Sequence, residues 1–208
     1  MEGVSINMIN TIILDIGQVM AHFRWKEYLS DCGYDEETIK RVSKATVLSK
    51  EWGEEDRGIL SDEELIAAFI ANDPGVAEEI RKLKGSPEKL VQEYDYSVDF
   101  VKKLKANGYK VYLLSNYGKT NFAYARSNFK FIPYVDGGVI SYEVKHIKPE
   151  PEIYRALIDK YQFDPKEAVF LDDSLANLEG AKAFGFYTIH FTEFEKAIEE
   201  LKVLGVNI

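Results

Sequence analysis

One thiol, Cys32, is all the cysteine this chain of 208 residues contains. A lone cysteine permits no disulfide within the chain and no thiolate zinc cluster. No histidine or basic pair stands near it in the sequence to mark it as a nucleophile. A chain without disulfides fits a reducing compartment. The sequence lacks the basic-then-apolar start of a signal peptide and any apolar run near the roughly 18 residues of a membrane span. A cytoplasmic protein with no membrane partner is the expectation. Positive charge is also short: 26 lysines and arginines stand against 35 acids, a net charge of -9. The basic footprint that a nucleic-acid partner needs is missing, so none is expected. A small phosphorylated ligand is not excluded, because a few cations can dominate one pocket. Of the three histidines, His22 reads as a loop histidine rather than a catalyst, and His146 and His190 have no metal partners at useful spacing. Repeats and low-complexity stretches are absent, and Met1 to Asn10 reads as a short disordered leader with an alternative start at Met8.

What is present starts at Thr11-Ile12-Ile13-Leu14-Asp15-Ile16-Gly17-Gln18-Val19-Met20. An apolar, isoleucine-rich run of strand length ends in one carboxylate, the pattern of a strand buried on both faces. In an open parallel sheet that carboxyl edge is where ligands bind, so Asp15 is a metal ligand, a nucleophile or a helix cap. From Trp25 to about Glu93 no strand pattern occurs. Helical periodicity is punctuated there by cap signals: Asp35 before a helix running through Ile39, Val42 and Val47, the capping box Ser61-Asp62-Glu63-Glu64, Asp73-Pro74 and Ser86-Pro87. From residue 95 strands and helices alternate: a helix from Asp95 to Asn107, a strand from Tyr109 to Ser115, a helix from Lys119 to Asn128, a short strand within Tyr134 to Ile140, a helix from Pro151 to Lys160, a strand from Glu167 to Leu171, a helix from Leu175 to Phe184, a strand from Phe186 to His190 and a final helix from Glu193 to Leu201. Alternation of this kind implies a parallel sheet covered on both faces. The fold class expected is therefore α/β: a parallel-sheet core formed by residues 10–22 and 94–208, with a small all-helical insert, residues 23–93.

Right-handed crossovers put every strand-end loop on one edge of such a sheet. Asp15, then Ser115 and Asn116, then Lys148, then Asp172 and Asp173 meet there. Carboxylates from two loops, with no sulfur or paired imidazoles, suit a hard divalent ion such as Mg²⁺. A lysine and a hydroxyl beside it suit a phosphoryl group. Taken singly, the same residues are ordinary helix caps and loop residues; their order, each after its own apolar element, is what points to a site.

Leu14-Asp15-Ile16-Gly17-Gln18-Val19, Leu114-Ser115-Asn116, Lys148-Pro149-Glu150-Pro151 and Phe170-Leu171-Asp172-Asp173-Ser174, continued by Asn177 and Gly180-Ala181, resemble the four motifs of the haloacid dehalogenase superfamily. The resemblance covers about residues 10 to 192, and it implies a Rossmann-like, doubly wound core with the helical insert as a cap. It implies that Asp15 is a nucleophile forming an aspartyl-phosphate, that Ser115 and Lys148 hold the phosphoryl group, and that Asn116 orients the phosphate or the nucleophile loop. It also implies Mg²⁺ held by Asp15, the Gly17 carbonyl, Asp173 and, directly or through water, Asp172. The function implied is a Mg²⁺-dependent phosphatase acting on a small phosphorylated metabolite, with a sugar phosphate such as glucose 1-phosphate in view because Asp-x-Gly-x-Val before a small cap resembles the bacterial alpha-D-glucose-1-phosphate phosphatase subgroup. A monomer or weak homodimer is expected.

One position departs from the pattern. Most phosphatases that this sequence resembles carry an acid two residues after the nucleophile, where it protonates the leaving group; here Gly17 stands there. Water or a residue of the insert would have to serve, with His22, Glu54, Glu55, Asp56 and Arg57 as the candidates. Two other readings stay open at Gly17: a 2-haloacid dehalogenase, in which Asp15 attacks carbon, and a non-catalytic ligand-binding relative.

Overall fold

The computed structural model of the chain describes residues 8–208. Residues 1–7 of the expected leader lie outside that range. Its last two residues are not loose: Ile9 is buried, and the Asn10 N–H donates to the Glu167 carbonyl at 2.9 Å.

Five parallel strands form the core: β1 (Thr11–Leu14), β4 (Lys110–Ser115), β5 (Gly137–Ile140), β6 (Ala168–Asp172) and β7 (Tyr187–His190), in the order β5-β4-β1-β6-β7. Side chains alternate between the two faces of the sheet, as a period of two requires. Ile12, Leu14, Val111, Leu113, Val169 and Leu171 enter one apolar cluster; Ile13, Tyr112, Leu114, Ala168 and Phe170 enter the other. Both faces are covered by helices, which explains why these strands read as continuous apolar runs rather than alternating ones. The chain leaves β1 and builds first to one side (β4, β5) and then to the other (β6, β7). The order therefore reverses at β1, and the crevice at its carboxyl end is the ligand-binding position of an open α/β sheet.

Register carries that through to single residues. Leu14 pairs with Leu113 of β4 and with Leu171 of β6. Asp15, one residue on, therefore lies level with Asp172, and its N–H donates to the Leu171 carbonyl at 3.0 Å.

The helical insert enters and leaves through a two-stranded antiparallel ribbon, β2 (Ala21–Phe23) with β3 (Val91–Glu93). The sequence showed no strand between Trp25 and Glu93, and β3 is the correction. Three residues are too few to display a period, and pairing with β2 rather than local pattern makes the strand. Between them lie helices Trp25–Asp31, Glu36–Ala45, Lys50–Arg57, Asp62–Asn72, Ala77–Lys84 and Pro87–Leu90. Asp35 and Ser61 cap two of them as expected, the second with a full capping box. Val47 lies past the end of the helix it was expected to belong to. Leu29, Val42, Leu65, Phe69, Ile80 and Leu83 give the insert an apolar cluster of its own.

Helix Lys50–Arg57 closes the insert onto the core. Asn121 donates to Glu55 Oε1 at 2.9 Å, the Ser141 hydroxyl donates to the Asp56 carbonyl at 2.5 Å, and the Arg57 guanidinium forks onto Glu150, with Nη1 to Oε2 at 2.7 Å and Nη2 to Oε1. Gly118 permits this approach: a Cβ there would stand 2.7 Å from Glu55 Cγ. A Cβ on Gly17, by contrast, would meet nothing within 4 Å. Gly118→Ala is thus expected to lower stability by about 1–3 kcal/mol through overpacking, while Gly17→Ala stays within about 0.5 kcal/mol; urea unfolding of the two variants checks both.

The same closure is pH-dependent. The hydrogen bonds from Arg57, helped by the Ile147 N–H, lower the Glu150 carboxyl to about 2. A carboxyl lowered on folding stabilises above its ordinary value near 4.5 and loses that contribution as pH falls toward 2. Arg57→Ala should therefore cost about 1 kcal/mol at pH 7, and its melting temperature should converge on that of the wild type as pH is lowered through this window.

Candidate active site

At the carboxyl edge, Asp15, Ser115, Lys148 and Asp172 are all buried. The Lys148 ammonium stands 2.9 Å from Asp15 Oδ1 and 2.6 Å from Asp172 Oδ2. The Ile16 N–H donates to Asp15 Oδ1 at 2.8 Å, and the nearby Ser115 side chain lowers the Asp15 carboxyl. Asp172 is the most fully satisfied: besides Lys148, its Oδ1 accepts from the Ser174 N–H at 2.8 Å and from Asn177 Nδ2 at 3.0 Å. Asp173, next in sequence, points to the exposed mouth of the cluster. Oxygens of Asp15, Asp172 and Asp173 lie within 4.8 Å of one another.

Asn116 is committed elsewhere. Its Oδ1 accepts from the Lys148 N–H at 2.7 Å and its Nδ2 donates to the Lys148 carbonyl at 3.0 Å. Its side chain clamps the backbone that carries the lysine. Six residues of β4 thus end in one side chain facing the site and one that fixes the loop supplying its cation. Ser141, absent from the sequence reading, does a similar job on the other side: its hydroxyl accepts from the Tyr117 N–H at 2.9 Å while donating to the Asp56 carbonyl.

The electrostatics follow from burial. Loss of water raises the Asp15 carboxyl, Lys148 pulls it down and Asp172 pushes it up, leaving it at about 6. For Lys148, burial works against the charge, but the two facing carboxylates outweigh it and hold the ammonium above its ordinary value. Partial burial and the neighbouring Asp172 carboxylate raise Asp173 as well. One lysine thus offsets three carboxylates. The remaining negative charge and the all-oxygen donor set fit a hard divalent cation.

Beside this cluster a cavity of about 90 Å³ opens between insert and core, lined by Gly17, Trp52, Asp56, Asn116, Tyr117 and Asn121 among others. Tyr117 was not foreseen: its buried hydroxyl has no hydrogen-bond partner among the described residues, and nothing in its spacing marks it. His146, expected to lack partners, instead lies 3.4 Å from Glu150 and 4.0 Å from Glu152. That grouping is at the surface, and its Glu150 is already held by Arg57.

An open, doubly wound α/β sheet with acids and a buried lysine at its switch point defines the class: a Rossmann-like hydrolase core with a helical insert. The chain belongs to the haloacid dehalogenase-like hydrolase family, whose profile matches residues 11–185. It is similar to a D-ribitol-5-phosphate phosphatase of Bacteroides thetaiotaomicron, 33% identical over 97 residues, covering 44% of this chain and 47% of that protein. It is also similar to the (S)-2-haloacid dehalogenase 4A of Burkholderia cepacia, 31% identical over 104 residues, covering 50% and 45%. The chain spans less than half the length of the curated relatives it matches. Among solved structures, the fold matches the haloacid dehalogenase family enzyme bt-2542 of Bacteroides thetaiotaomicron, solved in complex with magnesium and inorganic phosphate, at a TM-score of 0.69 and 24% identity, over 91% of this chain and 98% of that one. Among the described residues no helix is long and apolar enough to cross a membrane.

Removing the ammonium tests the electrostatic account. Lys148→Met leaves Asp15 and Asp172 facing each other without a counter-charge, and in metal-free protein it should lower unfolding free energy by about 3–5 kcal/mol, read from urea unfolding at pH 7.

Proposed function

We propose that the protein is a Mg²⁺-dependent phosphatase of small phosphorylated metabolites, working through an aspartyl-phosphate on Asp15. The observation that carries this reading is the buried cluster of Asp15 and Asp172 around Lys148, with Asp173 at its mouth. Two members need a cation to stay ionised together, and the third carboxylate exceeds what one lysine can offset. Asp15, Asp172, Asp173 and the Gly17 carbonyl would hold the ion. When bound, Mg²⁺ offsets charge on both the phosphoryl group and the carboxylates.

The chain's own groups account for the rest. Asp15 is fixed by the Ile16 N–H, so one carboxylate oxygen is positioned and the other can face the phosphorus. Lys148 and Ser115 would hold the transferring phosphoryl oxygens, with Lys148 kept in place by Asn116. Phosphoryl transfer requires mainly positioning and charge neutralisation, and a preorganised buried lysine supplies both. Residues 23–93 would serve as a cap on the core of residues 10–22 and 94–208, excluding water and shaping the pocket. The small cavity and the similarity to a phosphatase of a sugar-alcohol phosphate support a compact, hydroxylated leaving group, such as that of a sugar phosphate.

The dehalogenase similarity keeps a second chemistry in play, in which Asp15 attacks carbon. Carbon–halogen displacement has no use for a divalent-ion site, and the three-carboxylate cluster favours phosphorus over carbon. Purified protein assayed on p-nitrophenyl phosphate and a sugar-phosphate panel, with Mg²⁺ and with EDTA, should release phosphate only with Mg²⁺, and Asp15→Asn should lower kcat by about 10⁴-fold or more. Halide release from 2-haloacids that persists in EDTA would establish the dehalogenase instead. Absence of both activities in folded protein would leave a binding role.

A further inference from the structure

We propose that Asp56, from helix Lys50–Arg57 of the insert, is the general acid and base of the reaction, donating through the cavity it shares with Gly17 and Asn116. This rests on the phosphatase reading above. The need is chemical. An alkoxide is a poor leaving group unless protonated as it departs, and each group at the sheet edge has another role in this reading: Asp15 is the nucleophile, Ser115 and Lys148 hold the phosphoryl group, Asp172 and Asp173 would hold the ion, and Gly17 has no side chain.

The structure separates the five charged candidates of the insert by what each already holds. His22 is engaged by Gln18 at 3.2 Å and Glu27 at 3.1 Å, away from the cluster. Glu54 lies at the surface, 3.6 Å from Arg57. Glu55 is buried against Lys84 and Asn121. Arg57 is bound to Glu150. Asp56 is the exception: its backbone carbonyl is pinned by Ser141, while its carboxyl makes no hydrogen bond or ion pair among the described residues and lines the cavity. The backbone is fixed and the acid end is free. A second observation concerns the same region: Tyr117 lines that cavity too, and its hydroxyl is buried without a hydrogen-bond partner among the described residues.

The protonation state agrees with this geometry. Burial, and then the Glu55 carboxylate and Asp15, raise Asp56 to about 8, against the pull of Lys84 and Lys148. These groups and Tyr117 are the charged and titratable neighbours that face it. Asp56 is therefore neutral near pH 7, able to give a proton first and take one back later.

In the first step the Asp15 carboxylate oxygen forms a bond to phosphorus, the phosphorus–oxygen bond to the leaving group breaks, and the Asp56 proton moves to that oxygen, giving the free alcohol. In the second, a water oxygen attacks phosphorus and gives one proton to the Asp56 carboxylate. The bond to Asp15 breaks, releasing hydrogen phosphate and restoring both residues.

The test is the dependence of kcat/KM on leaving-group acidity for 4-nitrophenyl, phenyl and 4-methoxyphenyl phosphates. Because kcat/KM reports phosphoryl transfer, Asp56→Asn should steepen that dependence, with a loss of about 10²–10⁴-fold on the poorest leaving group and at least tenfold less on 4-nitrophenyl phosphate. Wild-type kcat/KM on phenyl phosphate should fall above pH 8, and this limb should be absent in Asp56→Asn. Gly17 has open space at its Cβ and no left-handed backbone, so Gly17→Asp in the Asp56→Asn background should restore a shallow dependence. Equal losses on all three esters, or none, would overturn the role of Asp56 while leaving the phosphatase intact. Wild-type protein that hydrolyses none of them would overturn the phosphatase reading and this one with it. Circular dichroism and melting of Asp56→Asn separate loss of the acid from loss of the fold.

Discussion

Lys148 between Asp15 and Asp172 is the interaction on which the site depends. A buried ammonium and two buried carboxylates are each costly alone, and their mutual attraction offsets that only if the geometry is held. Much of the surrounding structure does the holding. The sheet register sets Asp15 level with Asp172. Asn116 grips the lysine's backbone from the next strand. Ser174 and Asn177 satisfy the remaining oxygens of Asp172. These groups supply no chemistry of their own; they keep a charge arrangement from relaxing. The fold and the site are thus one electrostatic problem, solved at the carboxyl ends of the three central strands.

The insert solves a different problem. It has an apolar core of its own and is tied to the sheet by polar contacts: Arg57 to Glu150, Ser141 to the Asp56 carbonyl, Asn121 to Glu55. Such contacts are individually worth little where water reaches them, so the insert is held to the sheet more weakly than it is held together by its own core. Three consecutive residues, Glu55, Asp56 and Arg57, divide the work. The outer two anchor the helix, and the carboxyl of the middle one is left without a partner among the described residues, on the cavity it shares with Gly17 and Asn116.

How legible was this in the sequence? The parallel core was, because strands buried on both faces must be apolar throughout and the intervening helices carry caps and periodicity that chemistry imposes locally. That Asp15, Lys148, Asp172 and Asp173 gather at one sheet edge was also legible, since each follows directly on an apolar strand or stands at a marked loop. Less was visible where pairing rather than pattern makes the structure: β3 exists only because β2 lies beside it, and Ile9 and Asn10 are ordered only because Glu167 and the core receive them. His146 gained partners for the same reason, through a turn that no spacing rule captures.

Composition, periodicity and motif order determined the class of the protein: an acidic α/β hydrolase core with a helical insertion and an acid-and-lysine site at one sheet edge. Those properties are local or nearly so, written in which residues can be buried and which must cap. Only the tertiary structure decided which of the charged candidates lines the cavity beside Gly17 with its side chain unpartnered. His22, Glu54, Glu55, Asp56 and Arg57 look equivalent as a string of charges. They are told apart by their partners in the folded chain, where four find a counter-charge or a hydrogen-bond partner for their side chains and the Asp56 carboxyl, on a residue lining the same cavity as Gly17, does not.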